Sequence, residues 1–79
     1  MSPGIGLMKR RLEKEKEAIV LAISGIAKKY DVKPDDIETL ETKYHEDTGD
    51  WYVALGWGGK KALVKMDSVL GTIIEIKEI

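Results

Sequence analysis

The sequence predicts an α+β fold, with one N-terminal helix packed on a four-stranded antiparallel sheet. Apolar residues recur about every 3.6 positions up to Tyr30, which is typical of an amphipathic helix. They then alternate at every second position from Trp51 to Trp57, and Gly, Pro and Asp separate the later segments, which is typical of strands and turns. At 79 residues, the chain has the length of one small domain. We expect a flexible N-terminal tail at residues 1–7 and a single domain at residues 8–79.

The helix is predicted to run from Met8 to Tyr30. At about 100° per residue, one stripe collects seven apolar-face residues: Met8, Leu12, Ile19, Ala22, Ile23, Ile26 and Tyr30. Pro34 should end the helix, because the residue before a proline avoids helical angles, and residues 34–36 should form a turn or one short helical turn. Gly25 lies well off the stripe, so packing on the sheet would not explain it.

Four strands should follow, joined by short turns. They are predicted at residues 37–45, 51–57, 61–66 and 72–79, with Gly49, Gly58-Gly59-Lys60 and Asp67–Gly71 in the turns. The alternation predicts which side chains share a face, and those predicted to lie inward are Trp51, Val53, Leu55, Trp57, Ala62, Val64, Met66, Ile74 and Ile76. Leu40, Thr42 and Tyr44 should share one face of the first strand. The helix can cover only one face of this sheet, so the other must meet water or a partner.

Composition narrows the classes of site. The chain has no Cys and one His, which excludes disulfides, thiolate zinc sites and any site that needs two imidazoles. It has no Asn or Gln but is rich in Lys and Glu, a trend of hyperthermophile proteins, so we expect a thermophilic source. No stretch approaches the roughly 18 apolar residues of a membrane span. The N-terminus lacks the order of a signal peptide, so a cytoplasmic location is expected.

Three parts of the sequence resemble one known family. They are Glu17-Ala18-Ile19 in the helix, Trp51-Tyr52-Val53 in a central strand, and the run from Ala62 to Ile76, in which Gly71 follows Asp67 by four residues. In this arrangement, which covers roughly residues 12–79, the chain is similar to the PepSY domain family. The resemblance implies one helix on an antiparallel sheet, and a role in binding other proteins or inhibiting peptidases. The Asp67–Gly71 spacing suits a turn in which Asp bonds backbone amides and Gly supplies a positive φ.

Catalytic and metal-binding patterns are weak. Ser24 and Ser68 are the candidate nucleophiles and His45 is the one imidazole, but neither serine lies in a nucleophile-elbow sequence. The polar run from His45 to Asp50 does not match an EF-hand and is better interpreted as a hairpin loop. The Gly-rich segment 56–61 lacks the Walker spacing and joins two strands. We therefore expect a non-catalytic protein without a cofactor or a metal.

A basic run supports a second hypothesis, a nucleic-acid-associated protein. Residues 1–33 have a net charge of +4 and residues 34–79 a net charge of −5, so the helix is basic and the sheet acidic. The candidate phosphate contacts are Lys9, Arg10, Arg11 and Lys14, within the basic helix segment Lys9–Lys16. Glu13, Glu15 and Glu17 interleave this run, which favours ordinary surface ion pairs instead.

The leading hypothesis is a protein-binding module that uses the back of the helix. Ala18, Leu21 and Gly25 lie close together there, roughly opposite the predicted core stripe, with Lys14 and Lys28 at the rim. An exposed Leu21 and a mid-helix Gly25 would be explained if another backbone approached closely. The simplest partner would be a second copy of the chain, with two antiparallel helices crossing near Gly25.

Overall fold

The structure, a computed structural model, describes residue 12 and residues 14–79 of the chain. In this part, helix α1 (Glu15–Tyr30) is followed by a 3₁₀ turn (Pro34–Asp36) and four strands, β1 (Glu38–His45), β2 (Asp50–Trp57), β3 (Lys60–Asp67) and β4 (Thr72–Glu78). The strands form one antiparallel sheet in the order β1-β2-β3-β4, and α1 packs on one of its faces. The predicted α+β fold class is confirmed. The predicted tail at residues 1–7 lies outside the described residues.

Helix α1 begins at Glu15, later than predicted. Lys14 is extended, and its amide donates a hydrogen bond to Glu17 Oε1 at 3.1 Å, which satisfies one free amide near the helix start. Asp31 ends the helix in the left-handed region at φ 55°, and the Val32 amide closes back onto Ala27 O at 3.1 Å. The predicted start at Met8 falls outside the described residues, and the prediction that Leu12 belongs to the helix is wrong.

Leu12 is instead bonded to two distant parts of the sheet. Its amide donates to Ser68 O at 2.9 Å, and its carbonyl accepts from Trp51 Nε1 at 2.8 Å. The side chain is buried in the core cluster. Both backbone groups of Leu12 therefore bond outside α1, which stops the helix from extending back through this residue.

The face of α1 that meets the sheet is turned about 60° from the predicted stripe, at 100° per residue. Ala18, Ala22 and Ile26 are fully buried, whereas Ile19 and Ile23 are only partly buried. Alanine has the smallest side chain that still buries apolar surface, so the two alanines let the backbone of α1 come close to the sheet. The predicted stripe followed the larger isoleucines, which flank the contact line.

The core between helix and sheet contains the inward residues predicted for β2 and β3. Val53, Leu55, Ala62, Val64 and Met66 are all fully buried. Two aromatic pairs close opposite ends of β2, with ring centroids 5.0 Å apart in Tyr30–Trp57 and 4.9 Å apart in Tyr44–Trp51. The inward residues predicted for these two strands are confirmed, whereas Lys60, predicted in the turn, is the first residue of β3.

Bulges in the two outer strands overturn two predictions. The register of β1 slips at Leu40, and that of β4 slips at Ile74, so each of these residues is an extra one opposite its neighbouring strand. Leu40 is 45% exposed and Ile74 is 51% exposed. After the slip in β4, Ile73 and Ile76 pack against the core cluster in place of the predicted Ile74 and Ile76.

The turn between β3 and β4 has the predicted chemistry. Asp67 Oδ1 accepts hydrogen bonds from the Val69 and Leu70 amides at 2.8 and 3.1 Å. Gly71 has a φ of +70°, in the region that L side chains rarely adopt, and its amide bonds to Asp67 O at 2.8 Å. The Asp67–Gly71 spacing in the sequence is therefore explained by the needs of this turn.

Candidate binding surfaces

The residues predicted to form a partner face on the back of α1 lie on the side of the helix that meets the sheet. Ala18 is fully buried against the sheet, and Leu21 is half-buried and packs on the core cluster. Lys14 and Lys28, the predicted rim, are exposed. The face predicted from Ala18, Leu21 and Gly25 is therefore wrong, because the rotation of α1 turns its two small residues inward.

Gly25 has a packing explanation inside the domain. A Cβ on this residue would collide with Ile73 Cδ1 and would lie 3.5 Å from Ile76 Cδ1. Gly25 is thus the point where α1 passes over the isoleucines of β4, and the absence of a side chain leaves room for them. The sequence prediction that packing on the sheet does not explain Gly25 is wrong.

An apolar groove lies on the other side of α1, next to the 3₁₀ turn. This helix groove, with a volume of about 360 Å³, is lined by Val20, Ile23, Ser24, Ala27, Lys28 and Pro34. Val20 is 61% exposed, although it lies in the middle of the helix. Ile23 and Ala27 are half-buried beside it and form a continuous apolar floor with Val20. Lys28 provides a positive charge at the rim, so the groove suits an apolar side chain flanked by a carboxylate.

The sheet has a second concave surface, on the face away from α1. No described element covers this face, and a shallow concavity of about 220 Å³ lies on β1, β2 and β3. Its lining residues are Glu41, Lys43, His45, Tyr52, Ala54 and Leu63. Charges of both signs surround a small apolar centre, which is common for the solvated face of an antiparallel sheet.

Aromatic and charged contacts hold the side chains of this sheet concavity in place. The ring of Tyr52 lies 4.7 Å from that of His45, and Lys65 Nζ lies 5.8 Å from the centre of the Tyr52 ring. Lys65 Nζ is also 3.9 Å from Asp50 Oδ2. Tyr52 therefore contacts both the imidazole ring of His45 and the ammonium group of Lys65.

The candidate catalytic residues do not form a site. Ser68 is fully buried, and its hydroxyl donates to Gly49 O at 2.7 Å, so it serves to join two loops. Ser24 lies on α1 and lines the helix groove, whereas His45 lies on β1 and lines the sheet concavity. Among the described residues, no three His, Asp or Glu side chains are placed to hold a metal ion. The interpretation of 45–50 as a hairpin loop agrees with the turn that joins β1 and β2.

The residues of the nucleic-acid hypothesis are only partly described. Lys9, Arg10 and Arg11 lie outside the described residues, and Lys14 is exposed at the start of α1. Trp57, close to Lys60 and Lys61 in the sequence, is buried, and its ring packs at a tilt against that of Tyr30. Gly58 and Gly59 form the two-residue turn between β2 and β3, so the Gly-rich segment joins two strands, as predicted.

The helix groove was missed at the level of sequence, although a signal for it exists. Val20, Ile23 and Ala27 recur at helical spacing and form an apolar stripe of their own. The predicted core stripe includes Ile23, which leaves Val20 and Ala27 without an apolar neighbour on the helix surface. A second stripe becomes visible only once the buried stripe is known to centre on Ala18, Ala22 and Ile26.

Comparison with known proteins adds no family assignment. None of the family models, curated proteins or solved structures that were compared matches the chain. In the described part of the chain, no helix is long and apolar enough to cross a membrane.

Proposed function

We propose that the chain is a small, non-catalytic protein-binding module of PepSY-like design that contacts its partner through the helix groove. The observation that carries this proposal is Val20, an apolar side chain 61% exposed in mid-helix beside Ile23, Ala27 and Pro34. Apolar residues scattered singly on a surface need no explanation, but a lined concave patch is the usual form of a contact site. The partner would insert an apolar side chain into the groove and place a carboxylate near Lys28.

The role of the partner follows from the resemblance alone. PepSY-like domains are implied to bind proteins or to inhibit peptidases, so a peptidase is the first class of partner to test. A cytoplasmic location and a thermophilic source, both predicted from the sequence, belong to the same proposal. The nucleic-acid alternative depends on Lys9, Arg10, Arg11 and Lys14 and involves none of the residues that line the groove.

The test uses photo-crosslinking from inside and outside the groove. A benzophenone amino acid replaces Val20 in one variant and Leu70 in a control, because Leu70 is equally exposed, at 62%, on the turn between β3 and β4. A protein captured only from position 20 is purified, and its affinity for the wild type, Val20→Lys and Leu70→Lys is measured by calorimetry. We expect Val20→Lys to weaken binding about tenfold or more, the loss of about 1.4 kcal/mol or more typical of a central contact. Leu70→Lys should change binding less than about twofold, as expected away from the interface.

Two results would count against the proposal. One is an unchanged affinity for Val20→Lys, and the other is an identical set of crosslinks from both positions. Fluorescence anisotropy with mixed-sequence DNA and RNA tests the alternative, because binding through Lys9 to Lys14 should weaken steeply as salt rises. If the captured protein is a peptidase, slower hydrolysis of its substrate when the domain is added would support the inhibitory role.

A further inference from the structure

Strand β4 forms one edge of the sheet, and no described strand pairs with its outer side. The Ile79 amide donates to Lys61 O at 2.9 Å, which marks this pair as a hydrogen-bonded one. Because hydrogen-bonded and non-hydrogen-bonded pairs alternate in an antiparallel ladder, the backbone groups of Lys77 and Glu75 also point toward β3. Those of Ile76 and Glu78 therefore point outward, ready to pair with another strand.

The two edges of the sheet differ in their side chains. Both carry ionisable residues, on β1 at Glu38, Glu41, Lys43 and His45 and on β4 at Glu75, Lys77 and Glu78, so they differ in apolar content rather than in charge. The edge formed by β4 and the residue after it has four isoleucines, at positions 73, 74, 76 and 79. Ile74 is 51% exposed and Ile79 is 76% exposed. β-branched residues of this kind favour strand pairing.

We propose that a second copy of the chain pairs with β4 in antiparallel orientation, about a twofold axis that passes between the two copies of Ile76. A twofold axis that pairs two identical strands in this way stands perpendicular to the sheet and passes midway between the two copies of one residue, so both helices lie on the same side. The pairing joins two four-stranded sheets into one of eight strands. It uses a surface distinct from the helix groove and does not rest on the proposed function.

The charges on β4 select this register. With the axis at Ile76, Glu75 of each copy lies opposite Lys77 of the other, which gives two ion pairs on the open face of the sheet. With the axis at Glu75, at Lys77 or at Glu78, a charged side chain would face its own copy, and like charges directly opposite each other are destabilising. Of these four axes, only the one at Ile76 pairs opposite charges.

The backbone and the apolar residues agree with the same axis. The outward-facing amide and carbonyl of Ile76 in each copy can bond reciprocally across the axis, as a hydrogen-bonded pair requires. The two Ile76 side chains would meet on the helix side of the sheet, where Ile76 already packs against the core cluster. Because the bulge at Ile74 interrupts the ladder, the pairing is short, and we expect association at high micromolar concentrations or above.

The test is sedimentation equilibrium of the wild type and charge-reversal variants from about 10 µM to 1 mM, the range that a short interface calls for. Wild type should move from a mass of 8.8 kDa toward twice that value. Glu75→Lys and Lys77→Glu should each weaken dimerisation about tenfold or more, because like charges then face each other twice. Lys61→Glu, on β3 away from the edge, is the matched control and should behave as wild type.

A mixture of the two charge-reversal variants provides the decisive test. An equimolar mixture of Glu75→Lys and Lys77→Glu should form a heterodimer, since each variant supplies the charge that the other needs. A chain that carries both substitutions should form a homodimer again. Circular dichroism checks that each variant is folded, because Glu75 lies opposite Lys65 in the ladder between β3 and β4. A wild type that stays monomeric at 1 mM would overturn the proposal, as would single variants that dimerise as wild type does, or a mixture that does not associate.

Discussion

The rotation of α1 predicts unequal costs for two neighbouring isoleucines. The helical periodicity places Ile23 and Ile26 in one core stripe, but in the structure Ile26 is fully buried and Ile23 is half-buried in the floor of the helix groove. Truncating a fully buried Ile to Ala costs about 2–5 kcal/mol, from lost transfer energy and the cavity left behind. Ile26→Ala should therefore cost about 3–4 kcal/mol, and Ile23→Ala about half of that.

The total free energy of unfolding of this domain is small enough for the difference between the two variants to be measured. A chain of 79 residues has a total stability of about 4–12 kcal/mol, so Ile26→Ala removes a large part of it. Both variants gain the same helix propensity, so the comparison isolates burial. Urea denaturation gives the free energies of unfolding, and each kcal/mol should lower the melting temperature by about 4–8 °C. Equal losses, or a larger loss for Ile23→Ala, would refute the rotation.

Two further predictions concern the turns and the segment that precedes α1. Gly71→Ala should destabilise the domain by about 1 kcal/mol, because φ is +70° at this residue. Gly56→Ala should be close to neutral, because its new methyl group would lie 3.4 Å from the nearest side-chain atom, an ordinary van der Waals distance. Equal melting temperatures for the two variants would contradict the turn assignment. Trp51→Phe should lower the free energy of unfolding by about 1–3 kcal/mol more than Trp57→Phe does, because it leaves the buried Leu12 carbonyl without its donor. Hydrogen exchange of the Leu12 amide should accelerate in Trp51→Phe and stay unchanged in Trp57→Phe.

The candidate site was only partly accessible from the sequence. The sequence predicts a binding module with a contact surface on α1 and with Lys28 at its rim. In the structure, Lys28 lines the helix groove. The sequence pattern does not single out Val20, which is 61% exposed in that groove, and it places Ala18 on the wrong side of α1. Periodicity defines which residues share a face, but it does not define which of two adjacent apolar faces meets the sheet. That choice depends on how closely the two backbones can approach.

Local patterns by themselves determined much of the fold. Alternation over residues 51–57 defines β2 because side chains on a strand point to opposite faces in turn, whatever the strand packs against. The Asp67–Gly71 turn depends on a side chain that bonds amides two and three residues away and on one positive φ. Local sterics also predict that α1 does not continue through Lys33, because Pro34 follows that residue. Each of these features is decided within a few residues, so the sequence suffices to predict it.

Tertiary packing decided the remaining features. Leu12 is held outside α1 by Trp51 and Ser68, partners 39 and 56 residues away along the chain, which no local pattern reveals. The bulges at Leu40 and Ile74 shift the inward face of each outer strand by one residue, because register depends on the neighbouring strand. The orientation of α1 follows from Ala18, Ala22 and Gly25, small residues that matter only when a sheet lies beneath them. These contacts join segments far apart in the chain, and the folded structure is needed to show which of them form.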